Sequence, residues 1–211
     1  MLSNSHGYML IDNVDMGRYL TGEAPHDDCL VKEVDGVLLH SIYTIGAAIW
    51  WSTEEHLEAK YELYMKGKCQ PGDIVYGFIG DVDIRYYISR YGNAINIVSM
   101  YVNRMRKVFE KYGLEVRIIE PMPLCLHEDW SLDEWYTRKG LPPNDKFGVQ
   151  KIQDDFVGLL KQACRNHGLK EMLMISNNVI EGRTLSEADT TDTRHLNRVT
   201  SDKLMHAIAN W

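Results

Sequence analysis

The stretch DIVYGFIGDVDIR, residues 73–85, decides the fold. Residues 74–79 form a short apolar run, preceded by the chain-breaking pair Pro71-Gly72. A run of that length rich in β-branched and aromatic side chains reads as a buried strand. It leads into Gly80, and then into Asp81, Asp83 and Arg85. Two carboxylates and a cation at a strand exit allow three readings. They are a start on the oxygen-rich ligand set of a hard cation, a loop lining an acyl-transfer pocket, or a strand end where an aspartate pairs with Arg85.

Working outward, short apolar runs alternate with longer amphipathic ones. Val37-Leu38-Leu39 reads as a buried strand. Residues 53–65 read as a helix with Leu57, Tyr61, Tyr64 and Met65 on one face, and Thr53, Glu54 and Glu55 suit its start. A second helix is expected over 95–112, on the stripe Val98, Tyr101, Val102, Met105, Val108, Phe109 and Tyr112, with Gly113 as its stop. A strand follows over 116–119. A third helix carries Ile152, Phe156, Leu159, Leu160 and Ala163 and stops at Gly168, and residues 172–175 read as another strand. Ser201 is the expected cap of a last helix using Leu204, Ala207, Ile208 and Trp211. Strands alternating with helices predict an α/β layered fold with a mainly parallel sheet. In such sheets ligands bind beyond the carboxyl ends of the strands, which is where the aspartates of the opening stretch fall.

The chain has 211 residues, enough for one good-sized core, and carries no internal repeat or linker-like tract, so a single domain over 1–211 is expected. Within it, residues of about 124–148 are polar and Trp-containing and read as an irregular, lid-like excursion. Trp130 and Trp135 there suit either stacking on a sugar or packing of the lid. A net charge of −7 argues against a nucleic-acid surface, which needs clustered Lys and Arg. No stretch approaches the roughly 20 apolar residues that span a bilayer. The start of the sequence lacks the pattern of a secretory leader, and Cys29, Cys69, Cys125 and Cys164 are scattered singly, without CxxC. Reduced thiols and a cytoplasmic location are the corresponding expectation.

Three further motifs bear on chemistry. In DTRHLN, residues 192–197, Asp192 precedes His195 by three positions, so the carboxylate can accept from imidazole Nδ1–H and leave Nε2 free as a general base. The bland alternative is a surface turn. In SNSHG, residues 3–7, Ser5 stands beside the permissive Gly7, as a nucleophile on a tight turn would, or as part of an N-terminal tail. In YTIGAA, residues 43–48, Gly46 could present an N–H to an anion at the start of a helix, or serve only helix packing.

Taken together and in this order, the elements resemble the SGNH/GDSL hydrolase superfamily. That family has a serine block near the N-terminus, a glycine after the second strand, a GxND block after the third and a DxxH block near the C-terminus. Here these correspond to Ser5, Gly46, GDVD over residues 80–83, and Asp192 with His195. GDVDIR and DTRHLN look most like the GSCFA-like branch, with GEID-x-R in place of GxND and DxxHLN at the end. The resemblance implies a three-layer α/β/α fold with a mainly parallel, flavodoxin-like sheet. It implies a Ser5–His195–Asp192 triad, an oxyanion held by the N–H groups of Ser5 and Gly46, and a pocket wall formed by Gly80, Asp83 and Arg85. The expected activity is hydrolysis or transfer of an acyl group from a small-molecule or glycan ester, with no metal, no cofactor, and neither nucleic acid nor membrane as partner. Three departures stand out. Only four residues precede Ser5, Asp83, an acceptor, occupies the place of an asparagine donor, and Asn4 stands before Ser5 where the family motif often has Asp. Two alternatives stay open: a non-catalytic binding protein of the same fold, and a glycosyltransferase whose Asp81 and Asp83 hold Mn²⁺ or Mg²⁺ on a diphosphate.

Overall fold

The computed structural model describes residues 1–3, 27–44, 48–49, 52–84, 94–125, 146–190 and 196–211. Strand β1, Leu2–Ser3, is followed by β2, Asp27–Val34, and β3, Val37–Thr44. The last two form an antiparallel hairpin closed by Asp35 and Gly36, both at positive φ. Asp-Gly is the pair that such a two-residue turn favours, because both central residues must be left-handed.

Helix α1 spans Glu54–Lys60 and runs on into a π-helical turn, Tyr61–Met65. Thr53 caps it, its hydroxyl accepting from the His56 N–H at 3.2 Å. Strand β4, Ile74–Phe78, then helix α2, Ala94–Glu110, and strand β5, Glu115–Ile118, follow. The stripe expected on the second helix is the one α2 buries, from Val98 to Phe109. Gly113 stops it at φ +76. Helix α3 covers Lys146–Asn166, so residues 146–148 of the expected lid are helical. Helix α4 covers Arg198–Asn210.

Four strands, in the order β3, β1, β4, β5, run parallel, and β2 closes one edge antiparallel. Beyond β5 the expected strand over 172–175 is reduced to a parallel bridge, Leu173 to Ile119. It is held by the Glu120 N–H to the Leu173 carbonyl at 2.8 Å and the Leu173 N–H to the Ile118 carbonyl at 3.0 Å.

Side chains of β4 alternate between two cores, as strand geometry requires. Val75 joins Leu57, Val98, Tyr101, Met105, Phe109 and Phe156, from α1, α2 and α3. Tyr76 and Phe78 join Ile119, Ile175, Leu204, Met205 and Ile208, the last three from α4. Burial on both faces explains why this run carries no polar residue before Gly80.

Two expectations are corrected. Val37 and Leu38 lie at the exposed tip of the hairpin, and the buried part of β3 is Ser41–Tyr43 at its other end. Proximity to the turn outweighs side-chain hydrophobicity there. Helix α4 is capped by Asn197, whose Oδ1 accepts from the Thr200 N–H at 3.0 Å; Ser201 lies inside the helix and is buried.

Candidate active site

The parallel strands β3, β1 and β4 end side by side: Ser3 is in register with Tyr43 on one side and Phe78 on the other. The loop after β4 turns sharply at Gly80, where φ is +133. A Cβ there would come within 2.9 Å of both the Phe156 ring and Pro121, so glycine is required by conformation and by space together. The turn continues helically, with the Ile84 N–H donating to the Gly80 carbonyl at 2.9 Å.

That turn carries Asp81 and Asp83 inward, leaving them 5% and 1% exposed. Asp83 Oδ2 accepts from the Ile49 N–H at 2.8 Å. Its carboxylate thereby ties the loop after β4 to the loop after β3, 34 residues earlier in the chain. Asp83 is thus a loop clasp, its carboxyl oxygen holding a backbone donor of the other loop. Arg85, the partner expected from sequence, lies outside the described residues.

Ser5, Gly46, Asp192 and His195 also lie outside the described residues. The flanks of the last two are fixed. Thr190 and Leu196 form an antiparallel bridge, and the Asn197 N–H donates to the Asp189 carbonyl at 2.9 Å. Asp189 Oδ2 in turn accepts from the Ser186 N–H at 3.0 Å. Leu196 packs in the same core as Phe78 at the end of β4.

Sequence reasoning missed two buried polar features. Glu120, just past β5, is 2% exposed, and its two oxygens accept from the N–H and hydroxyl of Ser176, each at 2.7 Å. Burial pushes the Glu120 carboxyl above its ordinary range, against the opposing pull of the Ser176 N–H and hydroxyl. The sequence signal was the acid of IIEP, a lone charge directly after an apolar strand. Second, Tyr101 is buried to 1% exposure, and its hydroxyl has no hydrogen-bond partner among the described residues. Burial pushes its phenol well up, with Cys164 and Asp83 adding to the shift. Nothing in the helical stripe distinguished it from an ordinary core aromatic.

Among the described residues no group of three or more His, Cys, Asp or Glu is arranged to hold a metal ion, and no helix is long and apolar enough to cross a membrane.

Solved structures share this fold. One is a candidate acylhydrolase from Bacteroides fragilis, 14% identical, with a TM-score of 0.60 over 99% of this chain and 83% of that one. Another is a candidate platelet activating factor from Streptococcus pneumonia, 12% identical, with a TM-score of 0.58 over 99% and 80%. The OSK domain of Drosophila Oskar, 14% identical, aligns with a TM-score of 0.52 over 99% and 85%. The chain therefore has a fold of the acylhydrolase kind, and at these identities the likeness concerns the fold alone. No protein-family model matches the chain, and no curated protein matches it.

Proposed function

We propose that this protein is an SGNH-type serine hydrolase or acyltransferase acting on a small-molecule or glycan ester. The observation that carries this reading is β1. Though two residues long, it occupies the middle of the parallel sheet, between β3 and β4. In the superfamily the serine block comes directly after the central strand in sequence, and the place of β1 in the sheet supports that reading for the block around Ser5. The order of the parallel strands also supports the finer reading of a three-layer, flavodoxin-like arrangement.

In the proposed reaction, His195 Nε2 takes the proton from Ser5 Oγ as Oγ bonds to the ester carbonyl carbon. Asp192 orients His195 and stabilises the imidazolium. The N–H groups of Ser5 and Gly46 hold the oxyanion. Collapse breaks the bond to the alcohol, which leaves with the proton from His195. Water or an acceptor alcohol then attacks the acyl-enzyme by the same route in reverse. Asp83 acts as a positioning residue: through Ile49 it holds the loop that carries Gly46.

The test is covalent. A fluorophosphonate probe is expected to label the wild-type protein at Ser5, to leave Ser5→Ala unlabelled, and to react far more slowly with His195→Ala. A folded wild-type protein that takes no label overturns the reading. A second reading, a non-catalytic binding protein of this fold, is favoured by one observation. Asp83, standing where the family has a donor, is an acceptor already engaged by Ile49. Absence of labelling would select it. The metal-dependent glycosyltransferase draws less support, because Asp83 spends an oxygen on a backbone N–H and both aspartates are buried.

A further inference from the structure

We propose that the cavity between helix α3 and the segment over 174–183 binds a neutral, hydroxyl-rich ligand of the size of one sugar ring. This goes beyond the hydrolase reading and stands apart from it. The walls lie wholly among the described residues and include none of Ser5, Asp192 and His195.

The cavity has a volume of about 220 Å³. Pockets for drug-sized ligands run from about 300 to 1,000 Å³, so this one suits a single small ring and not a long chain. It lies past the carboxyl ends of parallel strands, where such sheets take their ligands. Glu120 comes just after β5, and Ser176 just after the segment that Leu173 bridges to Ile119. Helix α3 supplies the facing wall through Gln153, Val157 and Lys161, which share one face of the helix.

Two observations point to a neutral polyol. The first is a balance of charge. Glu120 and Asp154 in the wall are acidic, and Lys161 and Arg183 are basic. Asp154 pairs with Arg183, and Glu120 accepts from Ser176 within the field of Lys161. An anionic ligand would meet two carboxylates, and a cationic one would meet two cations. A hydroxyl both donates and accepts. A ring carrying several hydroxyls can therefore use acidic, basic and amide groups of this wall together, with Val157 and Met174 beside its carbons.

The second observation is Gly158. It sits inside the 21-residue helix α3 and lines the cavity, and a Cβ there would meet nothing within 4 Å. Packing does not require glycine at this position, and its φ is not left-handed. In a helix interior glycine is less favourable than alanine. The helix thus accepts a weak residue facing the cavity, which is accounted for if the space beside it is kept for a ligand.

The test is saturation-transfer NMR on the full chain. The neutral probes are methyl glucoside, methyl galactoside and methyl mannoside, with methyl glucuronide and methyl glucosaminide as anionic and cationic counterparts. At least one neutral glycoside is expected to receive saturation, and more of it than either charged probe. Gly158→Leu is expected to abolish that transfer while raising the melting temperature by about 2–4 °C, because leucine is the better helix former. Lys161→Met is expected to weaken glycoside binding roughly tenfold, the worth of a hydrogen bond to a charged group. No transfer to any neutral glycoside overturns the proposal. So does stronger binding of a charged probe, and so does binding that survives both substitutions. Fluorophosphonate labelling is read in the same samples, and its absence overturns the hydrolase reading alone.

Discussion

At the scale of single residues, Asp83 and Glu120 are two uses of a buried carboxylate. Each follows a parallel strand and each accepts from backbone N–H. Glu120 has the clearer consequence. Its folded-state pKa is raised, so the native protein binds its proton more tightly than the unfolded chain does. The contribution of Glu120 to stability is therefore greatest with its carboxyl protonated and falls as pH rises from the ordinary glutamate pKa to the raised one. Glu120→Gln should remove that fall. Urea unfolding at several pH values should show the wild-type-minus-variant difference shrinking as pH rises through that window and flattening above it. The position of this acid was visible in the sequence, but its partner was not. Ser176 lies 56 residues further on and meets Glu120 only because β5 and the Leu173 segment run side by side. The same holds for Asp83. Its motif was legible as a functional loop, and Ile49 as its partner was not.

Among the elements, the helices were read well because a 3.6-residue stripe is a local signal. The stripe of α2 and the stop at Gly113 came directly from the sequence. Ends were read less well. Asn197 and Ser201 are both good capping residues, and the choice fell to Asn197 because its backbone is extended and its N–H is held by Asp189. Asn197→Ala should destabilise the protein by about 1 kcal/mol, the usual worth of an N-cap. Its side chain also donates to the Ala188 carbonyl, so the loss should loosen the segment leading to Asp192. Ser201→Ala should cost little or nothing by comparison, since its buried hydroxyl has no partner among the described residues. Chemical denaturation of the two variants separates them. The strand β2 gave no sequence reading, because DDCLVKEV mixes charge with apolar residues in the way of an edge strand.

For the molecule as a whole, the two cores on either side of the sheet differ in what covers them. The face holding Phe109 is covered by three helices, and the face holding Phe78 largely by α4 and the segments around Ile119, Ile175 and Leu196. Phe109→Ala should cost about 3–5 kcal/mol, as loss of a fully buried aromatic does. Leu38→Ala, at the exposed hairpin tip, should change stability by less than about 0.5 kcal/mol. Thermal melts of both variants check the contrast. The sequence reading buried both positions; the helical stripe rightly buried Phe109, whereas for Leu38 hydrophobicity alone did not say which end of strand β3 reaches the core.

The two-residue strand β1 also governs the order in which the molecule can assemble. The hairpin of β2 and β3 pairs neighbours in the chain, and β4, α2 and β5 form one contiguous unit. Leu2, by contrast, must find Ile42 and Gly77 at once, 40 and 75 positions away. Long loops closed by so few backbone bonds return little until both neighbours are in place. The strand that leads to Ser5 is thus expected to be the last piece of the sheet to insert, with the slot between β3 and β4 open until then. Amide exchange at Ile42, whose N–H donates to the Met1 carbonyl at 2.7 Å, would report that late closure.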